Sequence, residues 1–383
     1  MIEFDPERQA WRWHATVAAY AARRWSPDDA ERRDRLARLM DAWRAWLTAV
    51  EPDDAERRLT AERANLELLV TDARSVPAKT ARAFLKTLAA ALPAPDRTLA
   101  LRAIQASLYR TLVDLAQDDG ERAGALNNLG IALSALGQRE EALAATREAA
   151  DLYRALAAAR PDAFRPDLAT SLTNLGIALS ALGQREEALA ATREAVTLYR
   201  ALAAARPDAF RPALATSLTN LGVALSALGQ REEALTATRE AADLYRALAA
   251  ARPDTFRPDL AASLTNLGVA LSALGQREDA LAATREAVTL YRALAAARPD
   301  AFRPDLARSL NVLGVCFAAL DRHAEALDAY EAAVRTLLPV VQRLPAAFAN
   351  QMAYSVWDYV TACQRLGRTP DAAVLAAVQQ HLE

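Results

Sequence analysis

The chain has 383 residues, only 6% of them aromatic and 12 of them glycine, while alanine and leucine make up most of the 52% that is hydrophobic. That balance favours helix over sheet. Lysine and arginine total 46 against 48 acids, a net charge of −2, which excludes the basic excess that nucleic-acid binders use to neutralise phosphates. Cys316 and Cys363 are too few for a disulfide framework. Residues 1–8 are acidic where a signal peptide is basic, and no stretch of about 18 apolar residues occurs, so a cytoplasmic protein is expected.

Residues 1–75 read as a helical module of their own. Trp11, Trp13, Trp25, Trp43 and Trp46 fall within it, and no glycine precedes Gly120. Leu36, Met40, Trp43 and Leu47 form one helical stripe, Pro27 and Pro52 mark breaks, and residues 61–70 suggest a further helix. From residue 76 to 383 a helical array is expected. It opens with a degenerate hairpin, residues 83–92 and 99–110, in which Leu108-Tyr109-Arg110 aligns with Leu152-Tyr153-Arg154.

Between about residues 120 and 303 the sequence repeats almost identically every 46 residues. Leu172-Thr173-Asn174-Leu175-Gly176 recurs at 218–222 and 264–268, and as close variants at 126–130 and 310–314. Ala-Ala-Asp at 149–151 and 241–243 alternates with Ala-Val-Thr at 195–197 and 287–289, which points to duplication of a pair of repeats. Within one repeat, Leu168, Leu172, Leu175, Leu179 and Leu182 advance by steps of four and three, which defines a helix A. Pro166 suits its first turn, Asp167 suits the positive end of its dipole, and Gly183 suits a left-handed C-terminus, so helix A is predicted over 166–182. Ala188, Thr192, Ala195, Tyr199 and Leu202 define a helix B, opened by Glu186 and Glu187 and closed by Arg206. Pro207 and Pro212 predict a stiff elbow between repeats. Residues 310–344, with Asp321 in the glycine place, and 354–382 read as divergent capping hairpins.

The order Leu172-x2-Leu175-Gly176-x2-Leu179, followed by Ala188 and Ala195, resembles the tetratricopeptide repeat. The resemblance implies an all-α fold: a right-handed α-solenoid of tetratricopeptide-type helical hairpins behind a small helical N-terminal module. Two departures stand out: the period exceeds the usual ~34 residues, and Thr192 takes the place of a large aromatic. Long-period relatives such as the kinesin light chain repeats imply that the hairpin tolerates lengthening. A second resemblance is carried by residues 14–21 and 61–66, which look like the segment preceding the repeats in bacterial signalling ATPases. No GxxxxGK[ST] is present, so that resemblance implies at most a sensor or regulatory segment without its own nucleotide-binding domain.

Residues 168–184, 214–230 and 260–276 contain no charge, unlike a solvated surface helix. Opposite the leucine stripe lie Thr170, Thr173, Asn174, Ile177, Ser180 and Ala181. In the resembled family helix A lines the inner wall, which implies a neutral groove presenting Asn128, Asn174, Asn220 and Asn266, flanked by Ile131, Ile177, Val223 and Val269 and by Thr173, Thr219 and Thr265. Amide side chains both donate and accept, so a row of them suits the backbone of an extended peptide; a similar ladder occurs in the tetratricopeptide superhelix of O-linked N-acetylglucosamine transferase. The alternative is that these asparagines bond neighbouring hairpins and persist from the duplication. Val312 occupies the ladder place in the fifth repeat, with Asn311 one residue earlier, so the ladder is expected to end at Asn266.

Enzymatic chemistry is not expected. His14, His323 and His381 have no metal-pair spacing, Cys316 replaces the small Ala178 and Ala270 of sibling repeats, and Glu186-Glu187 and Glu232-Glu233 suit helix N-termini. No cofactor or metal is called for. The expected partner is a protein or an extended peptide, neither nucleic acid nor membrane, with self-association through stacked array ends as a further option.

Overall fold

A computed structural model describes residues 2–5, 10–13, 30–49, 52–93 and 100–382. The chain opens with β1 (Ile2–Asp5) and β2 (Ala10–Trp13), paired antiparallel with Ile2 opposite Trp13 and Asp5 opposite Ala10. This corrects the all-helical reading of the start. Ile2–Asp5 alternates apolar and polar residues with period two, and Trp11-Arg12-Trp13 does so within the second segment, a strand signal that composition alone concealed. Residues 14–21, Trp25 and Pro27 lie outside the described residues.

The chain divides into two bodies at Asn174/Leu175. The first holds α1 (Ala30–Ala49), α2 (Pro52–Ala61), α3 (Arg63–Asp72), a 3-10 turn at Ala73–Ser75, α4 (Ala78–Ala91), α5 (Arg102–Asp114), α6 (Asp119–Ala135), α7 (Arg139–Ala159) and most of α8 (Pro161–Ala181). Met40, Leu47, Leu59 and Leu66 share one core with Phe84, Leu88, Leu108 and Leu112, so no gap in packing falls at residue 75. Trp43 and Trp46 stack edge-on at 5.0 Å beside it.

The second body holds α9 (Arg185–Ala205), α10 (Pro207–Ala227), α11 (Arg231–Ala251), α12 (Pro253–Ala273), α13 (Arg277–Ala297), α14 (Pro299–Ala319), α15 (His323–Val341), α16 (Pro345–Arg365) and α17 (Ala372–Leu382). From α9 onward each helix packs on the next, the arrangement of an α-solenoid. One apolar core runs through it from Ala215 to Val378.

The elbow is much shorter than the two prolines suggest. Pro207, Pro253 and Pro299 each occupy the first helical position, and Pro212, Pro258 and Pro304 lie inside the same helix. Helix A therefore begins five residues earlier than expected, and a single arginine links it to the preceding helix. The internal proline forfeits only one hydrogen bond close to the helix start, where the chain loses least. The link is held from its other side: the guanidinium groups of Arg206, Arg252 and Arg298 lie 4.8 Å from the ring centres of Phe210, Phe256 and Phe302.

The A-to-B turn is as expected. Gln230 N–H donates to Leu225 O and Gly229 N–H to Ser226 O, both at 3.0 Å, with Gly229 at φ 73°. Asp321 takes the same left-handed conformation, φ 59°, without glycine's freedom. Asp321→Gly is expected to stabilise the protein by about 0.5–1 kcal/mol, read as a higher urea midpoint; an unchanged or lower midpoint would contradict it.

Candidate functional site

In the second body the exposed face of each helix A is a continuous stripe with steps of three and four. On α10 it comprises Ala213, Thr216, Asn220, Val223 and Ala227; on α12 Asp259, Ala262, Asn266, Val269 and Ala273; on α14 Asp305, Arg308, Val312, Val315 and Ala319. The apolar member of each stripe stays in water: Ile177, Val223, Val269 and Val315 are 44–48% exposed. In the first body Asn128 is exposed, and Ile131, one turn on, is 40% exposed. Val315 extends the row, although sequence reasoning ended it with Val269; the 46-residue offset already pointed to it.

The asparagines divide by environment. Asn174 is half-buried, and its Nδ2 donates to Asn127 Oδ1 at 3.0 Å, a bond between successive A helices. Asn220 and Asn266 are half-buried, and Asn220 Nδ2 is a buried donor with no partner. Asn311 Nδ2 donates to Ser355 Oγ at 2.7 Å, which assigns that residue to the seam between α14 and α16.

The threonines occupy the seam rather than the exposed stripe. Thr173 and Thr219 donate to Ala169 O and Ala215 O at 2.9 and 3.0 Å. Thr265, 1% exposed, donates to Ala261 O and shares a 2.8 Å hydrogen bond with Ser309 Oγ. The physical reason is the ~100° turn per residue, which rotates Thr265 away from Asn266 and toward Ser309 of the next A helix.

The stripe is also not uncharged, contrary to the expectation of a neutral groove. Because helix A starts at Pro161, Pro253 and Pro299, Asp167, Asp259 and Asp305 sit in the second turn, on the exposed stripe, rather than at the dipole end. Burial raises all three carboxyls above the usual aspartate range. Tyr291 lies between Asp259 and Asp305, its hydroxyl bonded to Arg308, and burial pushes the phenol up. Tyr245, raised to about 12 by burial and then by Asp259, shares a 2.7 Å hydrogen bond with Thr216.

A carboxyl whose folded pKa is raised binds its proton more tightly in the folded state. Its stabilising contribution is therefore complete below the unfolded value near ~3.9 and is lost as pH rises through the folded value. Asp259→Asn and Asp305→Asn are accordingly expected to raise the melting temperature at pH 7, with the gain fading by pH 3. An equal effect at both pH values would show that the carboxylates carry no such cost.

The B helices carry the charge pairs. Arg193 meets Glu233 and Arg200 meets Glu240 at 2.6 Å, and Arg246 meets Glu286 at 3.0 Å. Each is exposed and contributes little singly. Cys316 is buried, 3.7 Å from Thr284 Oγ1, with its thiol pKa raised by burial, the opposite of a reactive thiolate. His323 lies 3.8 Å from Asp321, and among the described residues no group of three His, Cys, Asp or Glu could hold a metal ion. No helix among them is long and apolar enough to cross a membrane.

Residues 122–159, 168–204, 214–251 and 260–297 match the tetratricopeptide repeat family model. Four segments of this helical solenoid are thus similar to tetratricopeptide repeats. It is similar in structure to BtubC (BKLC) from P. vanneervenii at 19% identity, covering 64% of this chain and 91% of that one with a TM-score of 0.46. It is also similar to nearly identical TPR-like repeats of a Podosopora anserina putative kinesin light chain, at 22% identity over 58% and 97% of the two chains, TM-score 0.43. A Rap protein complexed with Competence and Sporulation Factor aligns over 92% of both chains at 14% identity, TM-score 0.48. No curated protein matches the chain.

Proposed function

We propose that the protein is a non-enzymatic scaffold that binds a protein or an extended peptide along the exposed stripe of its A helices. The observation that carries this reading is the row Val223, Val269 and Val315, β-branched residues left 44–48% exposed at one register on successive A helices. A surface helix with no partner has no physical need to repeat an apolar residue there. Asn220 and Asn266 precede two of these valines by one turn, where amide side chains beside the stripe can both donate and accept. The successive A helices meet through short side chains, Thr265 with Ser309 and Asn311 with Ser355. The B helices are bridged by long arginine–glutamate pairs. That difference in spacing supports A helices on the inner wall. Ile131 and Ile177, with Asn128 and Asn174, carry the same pattern.

The test is selection of a random 16-residue peptide library on the full chain, followed by calorimetry of the winners. Val269→Asp and the joint change of Asn128, Asn174, Asn220 and Asn266 to alanine are each expected to weaken binding by about tenfold or more, at roughly 1 kcal/mol per lost hydrogen bond. Winners bound equally well by both variants would place recognition elsewhere.

A further inference from the structure

Tyr354 and Trp357 are 73% and 72% exposed, one turn apart on α16, and exceed every other large hydrophobic residue among those described. Tyr354 holds the stripe place of Thr216, Ala262 and Arg308, and Asp358 the place of Asn220, Asn266 and Val312. The stripe on α16 therefore places an aromatic face one turn from a carboxylate. Asp358 is half-buried, and its carboxyl is raised by desolvation; among the described residues it forms no ion pair. On α14 Asp305 is likewise half-buried and its carboxyl raised by desolvation, with Arg308 acting against the rise, and on α12 the exposed Asp259 is raised as well. The positive charges of this stripe are Arg308, bonded to Tyr291, and Arg365 in the last turn of α16.

We propose that this end of the stripe docks an arginine-bearing segment of a partner protein, with guanidinium groups paired to Asp358 and Asp305 and stacked on Tyr354 and Trp357. The inference rests on the scaffold reading above and adds the chemistry of the partner. Partly desolvated carboxylates attract a cation, and exposed aromatic faces favour a planar one. Arginine meets both requirements, because its fork pairs with a carboxylate while its face lies on a ring. Lysine, a strongly hydrated point charge, meets only the first. Asp305 and Asp358 hold stripe places seven residues apart on α14 and α16, about 10 Å along the helix axis, and packed helices lie about 8–10 Å apart, so an extended polyproline-like strand joins the two carboxylates in about four or five residues. Arginines about four or five residues apart would thus reach both.

The same random 16-residue library, selected on the full chain, tests this. The expected winners carry arginines at a spacing of four or five, and bind Asp358→Asn and Tyr354→Ala each about tenfold more weakly than the unaltered protein. Both altered side chains face solvent at least in part, and an unchanged melting temperature would exclude unfolding as the cause. Winners without arginine enrichment, or with undiminished affinity for both variants, overturn the arginine dock. If those winners still lose binding to Val269→Asp, the scaffold reading stands without it. Arginine-rich winners sensitive to Asp358→Asn but indifferent to Val269→Asp would keep the dock and overturn recognition along the valine row. A library that yields no binder overturns both.

Discussion

Gly314→Ala is expected to destabilise the protein by about 2 kcal/mol, although alanine is the better helix former by about 1 kcal/mol. An added Cβ would stand 2.5–2.8 Å from three ring atoms of Tyr330, which is itself buried on α15. The ring has no open space to swing into, so α14 and α15 would have to separate, and the resulting steric cost of about 3 kcal/mol outweighs the gain in propensity. Urea unfolding of the full chain measures the change, and stability equal to or above that of the unaltered protein would refute it. Gly222→Ala is the milder companion, because its Cβ meets the Cγ2 of Thr238 rather than a ring. Thr238 still cannot rotate freely, since its Oγ1 donates to Ala234 O at 2.9 Å.

This crossing shows which parts of the fold a single sequence discloses. Leu172, Gly176 and Ala188 recur at fixed spacing, and helical periodicity is enough to turn them into a hairpin with a close crossing at the glycine. Thr192 fills the place of the usual aromatic, and the fifth repeat restores one there as Tyr330. The glycine is required in either case. What the sequence concealed lies at edges. Pro166 looked like a first-turn residue, and only the preceding helical turn, begun by Pro161, reveals Asp167 as part of the exposed stripe. One misplaced start thus hid the row of carboxylates and made the groove look neutral. Thr265 and Asn266 are adjacent in sequence, and the boundary between seam and stripe falls between them. Periodicity fixes a helix face only to about one residue, so that boundary needs the neighbouring helix. The exposure of Tyr354 and Trp357 likewise depends on what packs against α16 in space.

The charge arrangement divides labour between the two helix types. On the B helices Glu233, Glu240 and Glu286 each meet an arginine of the preceding repeat, so charge there holds register and solubility. On the A helices Asp259 and Asp358 have no such arginine acting on them, and desolvation raises their carboxyls as it does that of Asp305. Stability is sacrificed at these places, which is the pattern expected where a surface serves binding rather than folding. Arg308 offsets Asp305 in part, and its bond to the Tyr291 hydroxyl ties the stripe to the B helix beneath it.

Tyr291→Ala is expected to cost about 3–4 kcal/mol, at the scale of truncating a large buried aromatic. The side chain is 2% exposed, the largest among the fully buried residues, and its ring lies 6.5 Å from that of Phe302 at 42°. It fills the space where α12, α13 and α14 meet. In a stacked array each hairpin is stabilised mainly by its neighbours, so a cavity there weakens two interfaces and should broaden the unfolding transition as well as shift it. Tyr291→Phe keeps the ring and loses only the hydroxyl bonded to Arg308, so a loss of about 1 kcal/mol or less is expected. The two variants also separate packing from electrostatics. The ring is part of what keeps water from Asp259 and Asp305, so Tyr291→Ala should flatten the decline in stability between pH 3 and pH 7, whereas Tyr291→Phe should leave it in place. Melting curves across that range decide the point: equal pH dependence in Tyr291→Ala and the unaltered protein would mean that the carboxylates owe their burial to other groups.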